Sequence, residues 1–255
     1  MKMIERLERA QEQTWWLPEK VVIHEGPDHC FYGHGGEFRI IRFTPSAADL
    51  TARLNQILQV VGTEPVRFTY FPHRHSEAVL DALKQVGFVR LHRYEGRVID
   101  GAQYDRRSPA DIKVIMVQTF EEMKRIYSLR REVFGGGEQV PDETIRLYLK
   151  DASGPNPRVR QFLAVDGLSG EALSQAGMSL FPDLKFSLLF AGGTLETARR
   201  RGAYTALVAA RVAYARSIGI DHVGLFARED TSAPIVARHG FEYCGEMQDW
   251  GRNLA

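Results

Sequence analysis

The chain has 255 residues, 44% of them hydrophobic and 25% charged, with a formal net charge of +1. That length buries a sizeable core, as one large or two small domains, in the balance of an ordinary soluble globular protein. A charge near zero offers no bulk attraction to nucleic acid or membranes. Two cysteines, Cys30 and Cys244, argue against a disulfide framework and a cysteine-rich zinc site, and no apolar run approaches a membrane span.

Residues 1–9 are charged and helical in pattern, unlike a signal peptide, which points to the cytoplasm. Trp15-Trp16 reads as a packing anchor between units. His24, His29, His34, His73 and His75 follow, without the H-x-x-x-H spacing of a helical metal site, so no metal is expected. Residues 66–71 read as a strand, and Ser76 caps a helix over 77–86 that ends at Gly87-Phe88. The polar stretch 100–109 reads as a linker, giving two domains, 1–105 and 110–255.

Beyond the linker the elements alternate. A strand at 112–117 leads to a helix at 120–134, with Met123, Ile126, Tyr127 and Val133 near helical spacing and Gly135-Gly136-Gly137 as its stop. Pro141 and Asp142 start a helix to 149, and residues 154–157 form a loop. Strands are expected at 159–166, 172–181 and 185–195, then a helix over 203–218. Tyr204, Leu207, Val208, Val212, Ala215 and Ile218 make its apolar stripe, with Arg211 and Arg216 read as lying off it. A strand at 222–227, a short helix capped by Thr231 or Ser232 with Pro234 in its first turn, and a last strand from Phe241 complete the order. The fold class is α/β of the α+β kind, with a mixed, mostly antiparallel sheet flanked by helices.

The segment between the 185–195 strand and the next helix carries the chemistry. It reads Leu195-Glu196-Thr197-Ala198-Arg199-Arg200-Arg201-Gly202-Ala203-Tyr204. A helix start offers unpaired N–H groups and partial positive charge, Gly202 removes a side chain, and three arginines add full charges suited to phosphate. The alternative is a solvated basic surface. The turn follows the fourth strand of its half, not the first as in a Rossmann unit, and it lacks the G-K-[ST] of a nucleotide P-loop.

Residues 191–245 resemble the GNAT acyltransferase superfamily, whose core motif is R-x-x-G-x-[GA] between a strand and a helix. Arg199, Gly202 and the adjacent Ala203 fit that turn, and Tyr204 departs from it. The run from Ala227 through a short helix to Gly240-Phe241 is a second mark. Arg131-Glu132-Val133-Phe134 with Glu138-Gln139-Val140-Pro141 is a third, similar to the family's first helix and acceptor loop. The likeness covers most of 111–255. Residues 66–88 echo the strand, helix, Gly-Phe ending without an R-x-x-G turn, so the resemblance implies two tandem GNAT-like units, the first degenerate.

The resemblance implies acyl transfer from acetyl-CoA to an amine, either a small molecule or a protein N-terminus. No nucleic-acid or membrane partner is implied, and a homodimer is left open. It places the pyrophosphate on backbone N–H groups of Arg201, Gly202, Ala203 and Tyr204, with Thr205 in the same helical turn. Arg199 or Arg200 adds charge, and the pantetheine arm pairs with backbone near Gly193 and Thr194. The family's usual acid, a Tyr four residues before the Gly-Phe pair, is replaced here by Val236. Candidates for a base each have a structural alternative: Glu196 as an ion partner of the arginines, Glu138 and Asp142 as helix-start acids, His239 as a helix-end cation. His222 could titrate near neutrality. Cys244 reads as a packed strand residue. The catalytic residues are left unassigned.

Overall fold

The chain opens with α1 (Met3–Glu12), whose Ile4, Leu7 and Ala10 recur at helical spacing and are buried. Three antiparallel strands follow: β1 (Ile23–Glu25), β2 (His29–His34) and β3 (Glu37–Phe43). Then come α2 (Leu50–Val61), β4 (Val66–Tyr70), α3 (Glu77–Gln85) and β5 (Val89–Asp100). The second half holds β6 (Ile112–Met116), α4 (Phe120–Phe134), α5 (Asp142–Ser153), β7 (Val159–Asp166), β8 (Ala172–Phe181) and β9 (Phe186–Thr194). It ends with α6 (Ala203–Ser217), β10 (His222–Arg228), α7 (Ala233–Arg238) and β11 (Glu242–Arg252). This computed structural model describes residues 1–13, 17, 21–34, 36–135, 139–153 and 157–253. The Trp15-Trp16 anchor, Gly136, Gly137, Glu138 and the loop residues 154–156 lie outside them.

The residues form two compact units. Unit 1 comprises Met1–Pro18, Arg97–Leu225 and Ile235–Glu242, and unit 2 comprises Glu19–Gly96, Phe226–Pro234 and Tyr243–Ala255. Chain order does not map onto them block by block, and a cut at 105–110 falls inside unit 1. The reason is strand pairing: β11, from the C-terminus, pairs antiparallel with β4, placing Trp250 opposite Phe68.

Within unit 1 the strands run in the order β10-β9-β8-β7-β6, with the end of β5 beside β10. Only β9 and β10 are parallel, and the other pairs with a determined register are antiparallel. Helices α4 and α5 cover one face, burying Met123, Ile126, Leu129 and Ile145 against Leu163 and Val165. The start of α4 is fixed by a reciprocal cap: Glu122 N–H donates to Thr119 Oγ1, and Thr119 N–H donates to Glu122 Oε2. In unit 2 the order is β1-β2-β3-β4-β11, with the start of β5 beside β11. Its core gathers Phe31, Ile40, Phe43, Leu54, Ile57, Phe68, Leu83 and Trp250.

The two units repeat one plan. In unit 2, β3 pairs in parallel with β4 over three residue pairs, from Phe38↔Val66 to Ile40↔Phe68. In unit 1, β9 does the same with β10, from Phe186↔His222 to Leu188↔Gly224. Just beyond the last pair, each first strand slips register against its other neighbour, at Cys30/Phe31 of β2 and at Gln175/Gly177 of β8. Such an extra residue bends a strand and frees it from its ladder.

Candidate functional site

The site builds on the free end of β9. Its parallel register with β10 stops at Leu188, and the strand runs on through the irregularity to Thr194. Ala191 sits in the left-handed region at φ +48°, opposite β8. Side chains take carbonyls at this break. Gln175 Nε2 donates to the Ala191 carbonyl at 2.7 Å, and Arg211 Nη1 donates to the Gly177 carbonyl at 3.1 Å. Gln175 Oε1 in turn accepts from Arg130 Nε at 3.1 Å, while Arg130 Nη2 donates to Gln161 Oε1 at 2.9 Å. A polar chain therefore runs from α4 through β8 to the bulge, its bonds part-buried and the Arg211 bond to Gly177 fully buried.

Two glycines let helices approach β9 from opposite faces. A Cβ on Gly192 would sit 2.9 Å from the Tyr204 ring of α6, and one on Gly193 would sit 2.6 Å from Val133 and 3.0 Å from Phe134 of α4. The Gly193 carbonyl accepts from Ser174 Oγ at 2.8 Å, and Ser174 Oγ also meets Thr194 Oγ1 at 2.8 Å. Of the residues read from sequence as an edge for pantetheine, both are thus also held by β8.

The basic turn follows. Arg200 (φ +65°) and Gly202 (φ +85°) both lie in the left-handed region, and Gly202 is the N-cap of α6 with no side-chain cap on the helix. Its first N–H groups, on Ala203, Tyr204 and Thr205, point out of the helix start without an intrahelical acceptor. Arg201 is committed elsewhere: Nη2 lies 2.5 Å from Asp166 Oδ2 and 3.7 Å from Asp111. That guanidinium holds the Asp166 carboxyl well below the usual carboxylate range. Arg199 meets Glu196 at 3.8 Å, an exposed pair, leaving Arg199 and Arg200 as the outward charges of the turn. Gly202 has a second reason to be glycine, since a Cβ there would lie 2.6 Å from Pro109 Cγ.

Tyr204, the departure from the motif, directs its ring into the protein and leaves only its backbone at the helix start. The ring packs against Gly192 and edge-on to His239, and burial raises its phenol pKa. The Tyr204 hydroxyl faces Arg211, which corrects the reading of Arg211 as off the apolar stripe. Arg211 is 1% exposed. It lies four residues after Leu207 and seven after Tyr204, and its Nε donates to the Leu207 carbonyl at 3.0 Å. Burial pulls its pKa down, and among the described residues no carboxylate contributes to its surroundings.

His239 directly follows the end of α7. Burial, then Arg106 and Arg238, lowers its pKa, and the ring bridges Tyr104 Oη at 3.2 Å and Thr205 Oγ1 at 3.4 Å. Burial pushes Tyr104 up to about 12. Val236 is fully buried. Among the other candidates, Asp142 stands 3.9 Å from Lys124, His222 Nδ1 is 3.4 Å from Arg6, and Cys244 Sγ donates to the Gly96 carbonyl. Glu138 lies outside the described residues. Among the described residues no group of three His, Cys, Asp or Glu could hold a metal, and no helix is long and apolar enough to cross a membrane.

In unit 2 the corresponding end of the parallel pair is filled by the chain itself. His75 Nδ1 accepts from Phe71 N–H, just past β4, at 3.0 Å, and its ring faces the backbone of Phe43 at the end of β3. Burial, with Arg74 adding, pushes this imidazole down to about 4. No run of arginines precedes α2.

Sequence reading missed Gln175, Arg130, Ser174, Pro109 and Tyr104. Ser174-Gln175 inside an apolar strand, and Arg130 four residues after Ile126, were the available signals.

No family model and no curated protein matches the sequence. Solved structures do. A GCN5-related N-acetyltransferase from Kribbella flavida superposes with a TM-score of 0.74 at 16% identity, over 100% of this chain and 97% of that one. A GCN5-related N-acetyltransferase from Sphaerobacter thermophilus gives 0.65 at 17% identity, over 85% and 72%. A tandem GNAT protein from the clavulanic acid biosynthesis pathway gives 0.64 at 13% identity, over 92% and 84%. With the repeated strand-helix plan and the paired bulges, these likenesses establish that the chain has the fold of the GCN5-related N-acetyltransferases, in tandem form.

Proposed function

We propose that the protein transfers an acyl group, acetyl in the simplest case, from acetyl-CoA to a primary amine on a small molecule or a protein N-terminus, in the cytoplasm. One observation carries this reading: β9 leaves its parallel partner at Leu188 and runs through a bulge into an uncapped helix start flanked by Arg199 and Arg200. A ligand with an extended amide arm and a pyrophosphate needs those two features in that order. Acetyl-CoA supplies the activated thioester. The N–H groups of Ala203, Tyr204 and Thr205 would hold its pyrophosphate, Arg199 and Arg200 would neutralise it, and the β9 edge near Thr194 would orient its arm. Arg201 contributes backbone only, since its side chain serves Asp166.

Calorimetry with coenzyme A, ATP and NAD tests the donor half. Coenzyme A binds tightest, and Arg199→Gln with Arg200→Gln weakens it by roughly five- to thirty-fold, the loss of about 1–2 kcal/mol for two exposed phosphate contacts. Equal or tighter ATP binding, or unchanged affinity in the double variant, overturns it. Thiol release across an amine panel tests turnover. A second reading is an acyl-CoA-binding protein without turnover, favoured by the buried Val236 at the position of the family's usual acid. Coenzyme A binding with no thiol released from any amine selects it.

A further inference from the structure

A cavity of about 570 Å³ lies between α4 and the start of α5. Among the described residues Lys124, Arg125, Arg130 and Arg131 line it against a single acid, Glu121. It borders the donor strand through Phe134, which lines the cavity and lies against Gly193 of β9.

Arg130 is its most unusual wall. The residue keeps a partly open edge, but its guanidinium is surrounded by protein atoms. Its partners are neutral: Gln175 Oε1, Gln161 Oε1 and the Tyr127 ring 5.6 Å away. Among the described residues no carboxylate pairs with it, and burial lowers its pKa. A buried charge is normally paired, because its desolvation is otherwise uncompensated. Of its basic neighbours, Arg125 is tied to the Gly170 carbonyl at 2.6 Å, Lys124 stands 3.9 Å from Asp142, and Arg131 is exposed. Among the described residues the cavity thus holds an excess of positive charge around a cation that lacks a counter-ion, one residue contact away from β9.

We propose that this cavity binds an anionic group of the acceptor, so that the substrate is an amine that also bears a carboxylate or a phosphate. The inference rests on the acyl-transfer reading for the word acceptor, while the anion site stands on the cavity itself. Arg130 and Arg131 hold the anion and thereby set where the amine lies relative to β9.

The test compares acceptors in pairs: β-alanine against propylamine, and phosphoethanolamine against ethanolamine. With acetyl-CoA, thiol release is at least about tenfold faster for the anionic member of one pair, and the responding pair identifies carboxylate or phosphate. The surface variant Arg131→Gln lowers that preference and keeps coenzyme A affinity. Equal rates within both pairs overturn the proposal and leave acyl transfer standing. If no amine releases thiol, acyl transfer falls, and calorimetry with β-alanine and phosphoethanolamine decides the cavity. Binding that the variant weakens supports the anion site, and absence of binding overturns it.

Discussion

Replacing Gln175 by leucine tests the polar chain that shapes the end of β9. The side chain is fully buried, and leucine keeps roughly its volume while offering no polar atom. Two groups then lose partners: the Ala191 carbonyl, now 2.7 Å from Nε2, and Arg130 Nε, now 3.1 Å from Oε1. A buried group left without a hydrogen bond costs about 1–3 kcal/mol, more when charged, so the variant loses about 3–5 kcal/mol. At about 2–4 °C per kcal/mol for a protein of this size, the melting midpoint falls by roughly 6–20 °C. Urea unfolding with an unchanged slope measures the energy directly. Adding Arg130→Met removes the stranded charge, so the double variant is less damaged than the two single losses summed, by at least about 1 kcal/mol. A single variant within about 0.5 kcal/mol of the parent, or an additive double, refutes the claim that Gln175 couples α4 to the bulge.

Gly202→Ala puts a methyl group against Pro109 at a φ of +85°, and loses about 2–4 kcal/mol by thermal or urea unfolding; Pro109→Ala in the same chain recovers part of it. Recovery of nothing would assign the whole cost to the backbone. His75 titrates at about 4 in the fold and near 6.5 when unfolded, so the unfolded chain binds more protons between those values. Stability from this group is complete above about pH 6.5 and declines by about 3 kcal/mol as pH falls to 4. His75→Gln removes that slope from an unfolding series, and an identical acid slope in the variant contradicts the assignment. His239 titrates below the ordinary histidine range by NMR, and Tyr104→Phe costs about 1 kcal/mol by removing its hydroxyl partner. A His239 pKa at or above 6.5 would contradict the depression by burial.

Most elements of the second half were legible because their signals are local. The α4 boundaries match the expectation, since Thr119 and Glu122 cap its start and Gly135 follows its end. The turn before α6 was legible for the same reason, with a glycine at an N-cap that takes a positive φ. Partnership was not legible. Periodicity names the buried face of β11 but not that β4 lies beside it, and nothing near Gly202 announces Pro109. Arg211 was misread because residue type outweighed spacing; its interval from Leu207 already placed it inside. Arg130 and Gln175 escaped for a related reason, since charges and amides on core faces become meaningful only once the carbonyls they serve are known.

The pairing of β11 with β4 has a consequence for biosynthesis. Trp250 meets Phe68, so a strand late in this sequence completes a sheet begun much earlier in it. While the ribosome is still extending the chain, unit 2 lacks that strand and the edge of β4 has no β11 beside it. Folding of unit 2 therefore waits for β11 to emerge, and contacts of such sequence separation make it slow. A nascent chain stalled before residue 242 is the species a chaperone has to shield, and the same truncation removes a strand from the half of the molecule farthest from it in sequence.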